Sequence, residues 1–367
     1  MSDRSSTDLD KRYLRLSCRL ALKAVGRTSP NPMVGAVLVR GGKVIATGFH
    51  RRAGEDHAEI VALKRAGAKA KGATLYINLE PCSHYGRTPP CSRALISAGV
   101  KEVVAGMEDP NPLVSGKGLG RLRRAGIRVR AGILEEECRK LNEAFIKYIT
   151  RRLPFVTLKL AASLDGKIAA VTGDARWISS EDSRRVVHQL RNRMDAVVVG
   201  VGTVIADDPQ LTCRIANGRN PWRVILDSRL RIPLSAQLLR QPDPAKNIIV
   251  TGERSLRKKI RALEALGARV WQVKLRQGRI PWATVLKRLA AQGTLSVMIE
   301  GGATTAAWAL QEKVVDRVLF FYAPMILGGD ARVMIDRLGV KRVKEAIRIQ
   351  DMQVRKSGAD TLVCGYL

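Results

Sequence analysis

His57-Ala58-Glu59 and the later run Glu80-Pro81-Cys82-Ser83-His84-Tyr85-Gly86-Arg87-Thr88-Pro89-Pro90-Cys91 decide how this chain is read. One histidine, two cysteines and a glutamate beside the histidine form the donor set of a hydrolytic zinc site. Zinc in such sites is tetrahedral, and three protein ligands (His57, Cys82, Cys91) leave the fourth position for water. Bound zinc lowers the pKa of that water toward ~7. Glu59 then serves as the general acid/base, as in the H-x-E … P-C-x-x-C pattern of zinc deaminases. Here the cysteines are much further apart than in C-x-x-C. A structural zinc would need a fourth protein ligand, and His84 is the histidine nearby that could supply it. Glu59 could also act only as an acid at a helix start.

The flanking sequence alternates between strand and helix patterns. Residues 8–26 read as a helix with Leu14, Leu20, Ala21, Ala24 and Val25 on one face. Runs 34–39 and 43–48 read as a hairpin through Arg40-Gly41-Gly42. A helix over 57–66, a strand over 73–79, a helix over 91–99 and a strand over 100–105 follow. Then come a turn at Asp109-Pro110-Asn111-Pro112, a helix over 118–125, a strand over 127–131 and one helix over 135–148. Gly116-x-Gly118-x-Gly120 reads as a turn. Both ligand motifs fall at helix starts, where the helix dipole stabilises thiolates. Such alternation specifies an α/β layered domain over 1–150.

After the linker Arg151-Arg152-Leu153-Pro154 the pattern restarts, which predicts a second α/β domain over 151–367. Its strands are predicted at 155–163, 195–204, 222–228, 247–252, 295–299 and 315–324, with 360–367 as a closing edge strand. Helices are predicted at 180–193 and 255–267. Glu300-Gly301-Gly302-Ala303-Thr304-Thr305 stands between a strand and a helix. Glycine lets backbone approach a ligand and a helix N-terminus holds phosphate, so the run reads as a pyrophosphate cradle or as a tight turn. Gly200-Val201-Gly202-Thr203 reads the same way. Asp165-Gly166 and Asp227-Ser228 end strands, where α/β ligands bind and where turn formers also occur.

Composition sets the bounds. At 367 residues with 46% hydrophobic content, the chain is expected to build two globular domains. The net charge of +31 is large, but the basic excess is spread over both halves without a block or tail. That pattern fits a solvated basic surface better than a nucleic-acid footprint. Aromatic content of 4% argues against a base-stacking platform. The start, MSDRSSTDLDKRYL, is polar, and no apolar run approaches the ~20 residues of a membrane span. The six scattered cysteines point to a reducing, cytoplasmic setting.

These motifs together resemble one family, the bifunctional riboflavin-biosynthesis proteins that join a pyrimidine deaminase to a 5-amino-6-(5-phosphoribosylamino)uracil reductase. TSPNPMVGAVLV, HAE, EPCSHYGRTPPC and DPNPLVSGKG are similar to the deaminase half. KLAASLDGKIA, TGDARWIS, GVGTVIADDPQLTCR, ILDS and EGGATTA resemble the reductase half. The long Cys82–Cys91 spacing is the form this family uses.

The resemblance implies a cytidine-deaminase-like three-layer α/β/α domain, then a dihydrofolate-reductase-like α/β domain, with one zinc per chain and NADPH. It implies zinc on His57, Cys82 and Cys91, with Glu59 catalytic. Asn31, His84, Arg87 and Thr88 would hold the phosphorylated pyrimidine. Ala161, Trp177, Thr203, Asp207, Ser228, Gly302, Ala303, Thr304, Thr305, Ala306, Ala307 and Trp308 would contact the cofactor. Lys159, Arg191, Leu211, Arg214 and Glu300 would contact the second substrate. Ala175 stands where the family commonly carries serine, so one hydrogen bond is expected to be absent. A homo-oligomer, dimer or tetramer, is implied, with no nucleic-acid or membrane partner. The rival expectation is a basic RNA-binding protein with a deaminase-like domain acting on RNA.

Overall fold

The structure, a computed structural model, describes residues 2–83, 90–112 and 114–367. The chain divides into two compact units, Met1–Leu153 and Pro154–Leu367.

The first unit opens with helix α1 (Ser2–Ala21). Strands β1 (Gly35–Arg40) and β2 (Lys43–Phe49) pair antiparallel across Gly41 and Gly42. Both glycines have positive φ, 57° and 72°, which a two-residue hairpin turn requires. Helix α2 (Ala58–Ala66), β3 (Thr74–Ile77), α3 (Cys91–Ser97), β4 (Glu102–Ala105), α4 (Lys117–Arg124) and β5 (Arg128–Ala131) follow. The sheet order is β2-β1-β3-β4-β5, with β3, β4 and β5 parallel.

Strand alternation builds the layers. Ala36, Leu38, Leu75 and Ile77 face a core with Ala58, Ala62, Leu95, Leu119 and Leu122 of α2, α3 and α4. Val37, Val39 and Tyr76 face Tyr13, Leu14 and Leu20 of α1 on the other side. The result is the three-layer α/β/α arrangement. Two glycines set its tightness: a Cβ at Gly35 would stand 2.0 Å from Ser17 O, and one at Gly48 would stand 2.3 Å from Ala58 O.

Two expectations in this unit are corrected. The single helix over 135–148 is two, α5 (Glu135–Leu141) and α6 (Glu143–Arg151). The break falls at Asn142, whose buried side chain accepts from Met33 N at 2.8 Å and donates to Met33 O at 3.0 Å. The Gly116-x-Gly118-x-Gly120 run is the beginning of α4 rather than a turn. A Cβ at Gly118 would lie 2.0 Å from Pro81 O, so the glycine is there for close packing.

The second unit holds β6 (Phe155–Ser163), β7 (Lys167–Ala169), α7 (Glu181–Arg193), β8 (Ala196–Gly200), α8 (Val201–Asp207) and β9 (Trp222–Leu226). Next are β10 (Asn247–Gly252), α9 (Arg257–Ala265), β11 (Arg269–Val273), α10 (Trp282–Ala291), β12 (Ser296–Glu300) and α11 (Ala303–Gln311). Strands β13 (Arg317–Ala323), β14 (Arg332–Val333), β15 (Gln350–Ser357) and β16 (Asp360–Tyr366) complete it. The large sheet runs β11-β10-β9-β8-β12-β6-β13-β16-β15. Pairings from β11 through β13 are parallel, and β16 and β15 are antiparallel. Parallel strands buried on both faces read as unbroken apolar runs, as Ala196–Val199 does. This is an α/β fold with antiparallel closing strands.

The expected closing edge strand is also corrected. β16 lies inside, between β13 and β15, and β15 forms the edge. Residues of β15 are exposed up to Ser357, so the strand carries no buried alternation for a sequence reading to find. The expected strand over 195–204 ends at Gly200, where α8 begins. Asp165 and Asp227 are turn formers. Asp165 accepts from Ser163 Oγ and Gly328 N, and buried Asp227 accepts from Ile232 N.

Candidate active sites

In the first unit, His57 is the residue that begins α2, held extended with its carbonyl accepting from Val61 N at 3.0 Å. Cys91 begins α3, and its backbone N–H donates to Cys82 Sγ at 3.3 Å. His57 Nδ1 stands 3.2 Å from Cys91 Sγ and 3.7 Å from Cys82 Sγ. All three ligand atoms lie within 4.8 Å of one another. A tetrahedral zinc with Zn–S ≈ 2.3 Å and Zn–N ≈ 2.0–2.1 Å separates its ligand atoms by roughly 3.5 Å. The triangle is therefore the right size and chemistry for zinc. Hydrogen bonding from Cys91 and the His57 ring pulls the Cys82 thiol down to about 4, which favours the thiolate that binds metal.

Glu59 sits in the first turn of α2 and is buried. Burial raises its carboxyl to about 7 against the opposing pull of His57. A cavity of ≈ 480 Å³ opens beside it, lined by Asn31, His50, His57, Glu59, Cys82 and Asn111 among others. Two buried asparagines hold the segment that carries Asn31. Asn78 donates to Met33 O and accepts from Gly35 N, and Asn142 brackets Met33 from the other side.

His50 was not singled out by the sequence reading. Its ring lies 5.4 Å from that of His57. Its Nδ1 is 3.1 Å from Asp56 O, and a carbonyl can only accept, so Nδ1 carries the proton. Burial lowers its pKa. Neutral Nε2 then accepts from Asn31 Nδ2 at 3.0 Å, which fixes the orientation of the Asn31 amide on the cavity wall. The expected substrate residues His84, Arg87 and Thr88 lie outside the described residues.

In the second unit, the candidate residues gather at the carboxyl ends of β8, β12 and β6, the usual ligand edge of a parallel sheet. Glu300 ends β12, and Arg191 of α7 reaches it with Nε–Oε1 at 2.7 Å and Nη2–Oε2 at 2.9 Å. Lys159 Nζ on β6 lies 4.0 Å from Glu300 Oε2. Burial pushes the Glu300 carboxyl up, but Arg191 and Lys159 outweigh it and hold it at about 2. Gly301 and Gly302 have φ of 73° and 78°. A Cβ at Gly302 would stand 3.2 Å from Thr203 Oγ1, and one at Gly200 would stand 2.5 Å from Thr305 Oγ1. The glycines thus let the start of α11 pack closely against Thr203 and the Gly200 turn, and the free N–H groups of such a helix start are of the kind that hold a phosphate.

The remaining expected residues differ in exposure. Ala306 and Ala307 are buried, and Trp308 donates to Glu312 and packs against Trp282. Ala303, Thr304 and Thr305 in the first turn of α11 are more exposed than Ala306 and Ala307. Leu211 is buried in the apolar core with φ of 54°, so its backbone rather than its side chain is what it can present. Trp177 is 67% exposed, with Arg184 stacked 4.5 Å over its ring. Asp207 and Arg214 are exposed, and Ser228 and Ala161 are half-buried.

Comparison with known proteins accounts for both units. The cytidine and deoxycytidylate deaminase zinc-binding region matches residues 7–107, and the RibD C-terminal domain matches residues 154–363. The riboflavin biosynthesis protein RibD of Aquifex aeolicus is 45% identical, over 97% of this chain and 98% of that one. The chain belongs to the RibD family. It is a bifunctional enzyme of riboflavin biosynthesis, a deaminase with a zinc-binding domain followed by an NADPH-dependent reductase.

Solved RibD structures agree over nearly the full length. RibD of Acinetobacter baumannii superposes with a TM-score of 0.89 at 38% identity, covering 98% of this chain and 99% of that one. A diaminohydroxyphosphoribosylaminopyrimidine deaminase/5-amino-6-(5-phosphoribosylamino)uracil reductase from Thermotoga maritima gives 0.87 at 38% identity, with the same coverage. The rival expectation of an RNA-acting protein finds no support among these RibD relatives. Among the described residues, no helix is long and apolar enough to cross a membrane.

Proposed function

We propose that the first unit converts 2,5-diamino-6-(5-phosphoribosylamino)pyrimidin-4(3H)-one to 5-amino-6-(5-phosphoribosylamino)uracil, and that the second reduces its ribosyl group to a ribityl chain. The observation that carries this reading is buried Glu59 beside the His57–Cys82–Cys91 triangle on the wall of the cavity. His57, Cys82 and Cys91 would hold zinc, which would supply an activated water. Glu59, with its carboxyl near 7, both accepts and returns a proton at neutral pH. It takes one from the attacking water and delivers it to the departing nitrogen, which leaves as ammonia. Asn31, oriented by His50, holds the pyrimidine together with His84, Arg87 and Thr88.

When bound, NADPH would supply the hydride that C1 of the ring-opened, imine-like ribosyl group accepts in the second step. The first turn of α11, from Gly302 to Thr305, holds its phosphates, and Ala161, Trp177, Thr203, Asp207 and Ser228 contact the rest. Arg191, Arg214, Glu300 and the Leu211 backbone position the substrate. Lys159 gives the imine nitrogen its proton. Burial lowers the Lys159 pKa, which makes that proton easier to release.

We also place the protein in the cytoplasm as a homo-oligomer. Exposed Met352 and Val354 on the edge strand β15 support a second copy there, and light scattering in solution tests it. The test of function is a coupled assay on the diaminopyrimidine that follows ammonia and NADPH separately. Equal release and consumption are expected. No ammonia, or no NADPH oxidation once deaminated substrate is present, would overturn the corresponding half.

A further inference from the structure

Glu80 follows β3 and is 3% exposed. Its carboxylate accepts four backbone N–H groups. Oε2 takes those of Asp109 and Gly116, both at 3.0 Å, and Oε1 takes those of Gly118 and Leu119 at 2.8 and 3.1 Å. All four donors belong to one segment, 109–119, which leads from β4 into α4. The same segment packs directly on the residue after Glu80, since a Cβ at Gly118 would stand 2.0 Å from Pro81 O. Cys82, a candidate metal ligand, comes next.

Among the described residues, the stretch 109–116 contains no strand or helix. Its buried backbone donors need acceptors from elsewhere, and an ionised carboxylate offers about four lone-pair sites. Glu80, Asp109 and Asn111 all line the cavity. Asp109 Oδ1 also accepts Asn111 N at 2.9 Å, so the clamp extends along that wall.

We infer that Glu80 is a positioning residue for the deaminase pocket: it clamps segment 109–119 against the Cys82 loop and so sets the wall that receives the pyrimidine. This rests on the deaminase reading of the first unit. Glutamine in its place would turn an NH₂ group toward two of the four N–H donors, so half of the clamp becomes repulsive. The side chain would keep its size.

The test compares full-length wild type with Glu80→Gln and Glu80→Asp. In Glu80→Gln, amide exchange across 109–119 should accelerate while zinc content stays at the wild-type level. KM for the diaminopyrimidine should rise about tenfold or more, with kcat changed less. NADPH-dependent reduction of separately supplied deaminated substrate should be unchanged. Glu80→Asp, which keeps the charge, should fall between the two. Wild-type exchange and KM in Glu80→Gln would overturn the inference. So would a KM change that accompanies zinc loss, or loss of both activities together. A wild-type enzyme that releases no ammonia counts instead against the deaminase reading, and the exchange measurement then judges the clamp on its own.

Discussion

Arg191 and Glu300 meet in a two-pronged ion pair, 2.7 and 2.9 Å, in the second unit. Both side chains are largely buried, at 11% and 8% exposure. Removing one partner of a buried pair leaves the other charge uncompensated, at a cost of about 3–5 kcal/mol. Glu300→Gln should therefore lower the melting temperature and abolish NADPH oxidation. Ammonia release from the diaminopyrimidine should survive. Retained reductase activity in that variant would remove Glu300 from the substrate site.

The same pair sets a pH dependence. The Glu300 carboxyl is held below its ordinary value of 4.5, at about 2. A carboxyl depressed on folding contributes stability that is fully present above its unfolded pKa. That contribution is lost as pH falls from about 4.5 through about 2. Thermal melts of wild type should fall over that window, and the fall should be shallower in Glu300→Gln. An equal fall in both would assign the acid sensitivity to other groups.

Glu59→Gln should keep its zinc and lose ammonia release by roughly 10²–10⁴-fold, the usual worth of a general acid/base. Cys82→Ser should lose the metal itself. Metal analysis beside an ammonia assay separates the two roles. A zinc-replete, active Cys82→Ser would end the ligand assignment.

Asn142→Ala should cost about 1–3 kcal/mol, because the Met33 N–H loses its buried partner and the Met33 carbonyl is left with Asn78 alone. The segment carrying Asn31 should loosen with it. Denaturant melts read the first effect and KM for the diaminopyrimidine reads the second. A stable variant with an unchanged KM would show that Asn78 alone holds the segment.

Gly302→Ala should weaken NADPH binding. A side chain at φ of 78° is strained, and its Cβ would press on Thr203 Oγ1. NADPH at 100 times its dissociation constant should stabilise wild type by about 2.7 kcal/mol. The variant should show little of that protection. Equal protection would move the phosphate site away from α11.

Much of the first site was legible before any fold was known. His57, Glu59, Cys82 and Cys91 are unusual residue types at characteristic spacings, and helix starts follow directly from their neighbours. Glu80 and His50 were missed for a physical reason. Their partners, the 109–119 backbone and the Asn31 amide, are remote in sequence and carry no reciprocal pattern. A glutamate closing the strand run Leu75–Leu79, which is apolar apart from Asn78, was the available signal for Glu80, because a charge at a buried strand end needs an acceptor's role to justify it. The α5/α6 break was hidden because Asn142 sits in an otherwise continuous helical pattern and is diverted by Met33.

The sequence by itself determined the chemistry and the architecture: a thiolate–imidazole metal site with an adjacent acid, two α/β units, and glycine-rich strand-to-helix turns. These depend on residue identity, local spacing and periodicity. Only the tertiary structure decided which groups meet. It joined Glu80 to 109–119, His50 to Asn31 and Arg191 to Glu300, placed β15 rather than β16 at the sheet edge, and buried Ala306 and Ala307. Such contacts are settled by which segments pack together in space, and burial then fixes their protonation and hydrogen bonding.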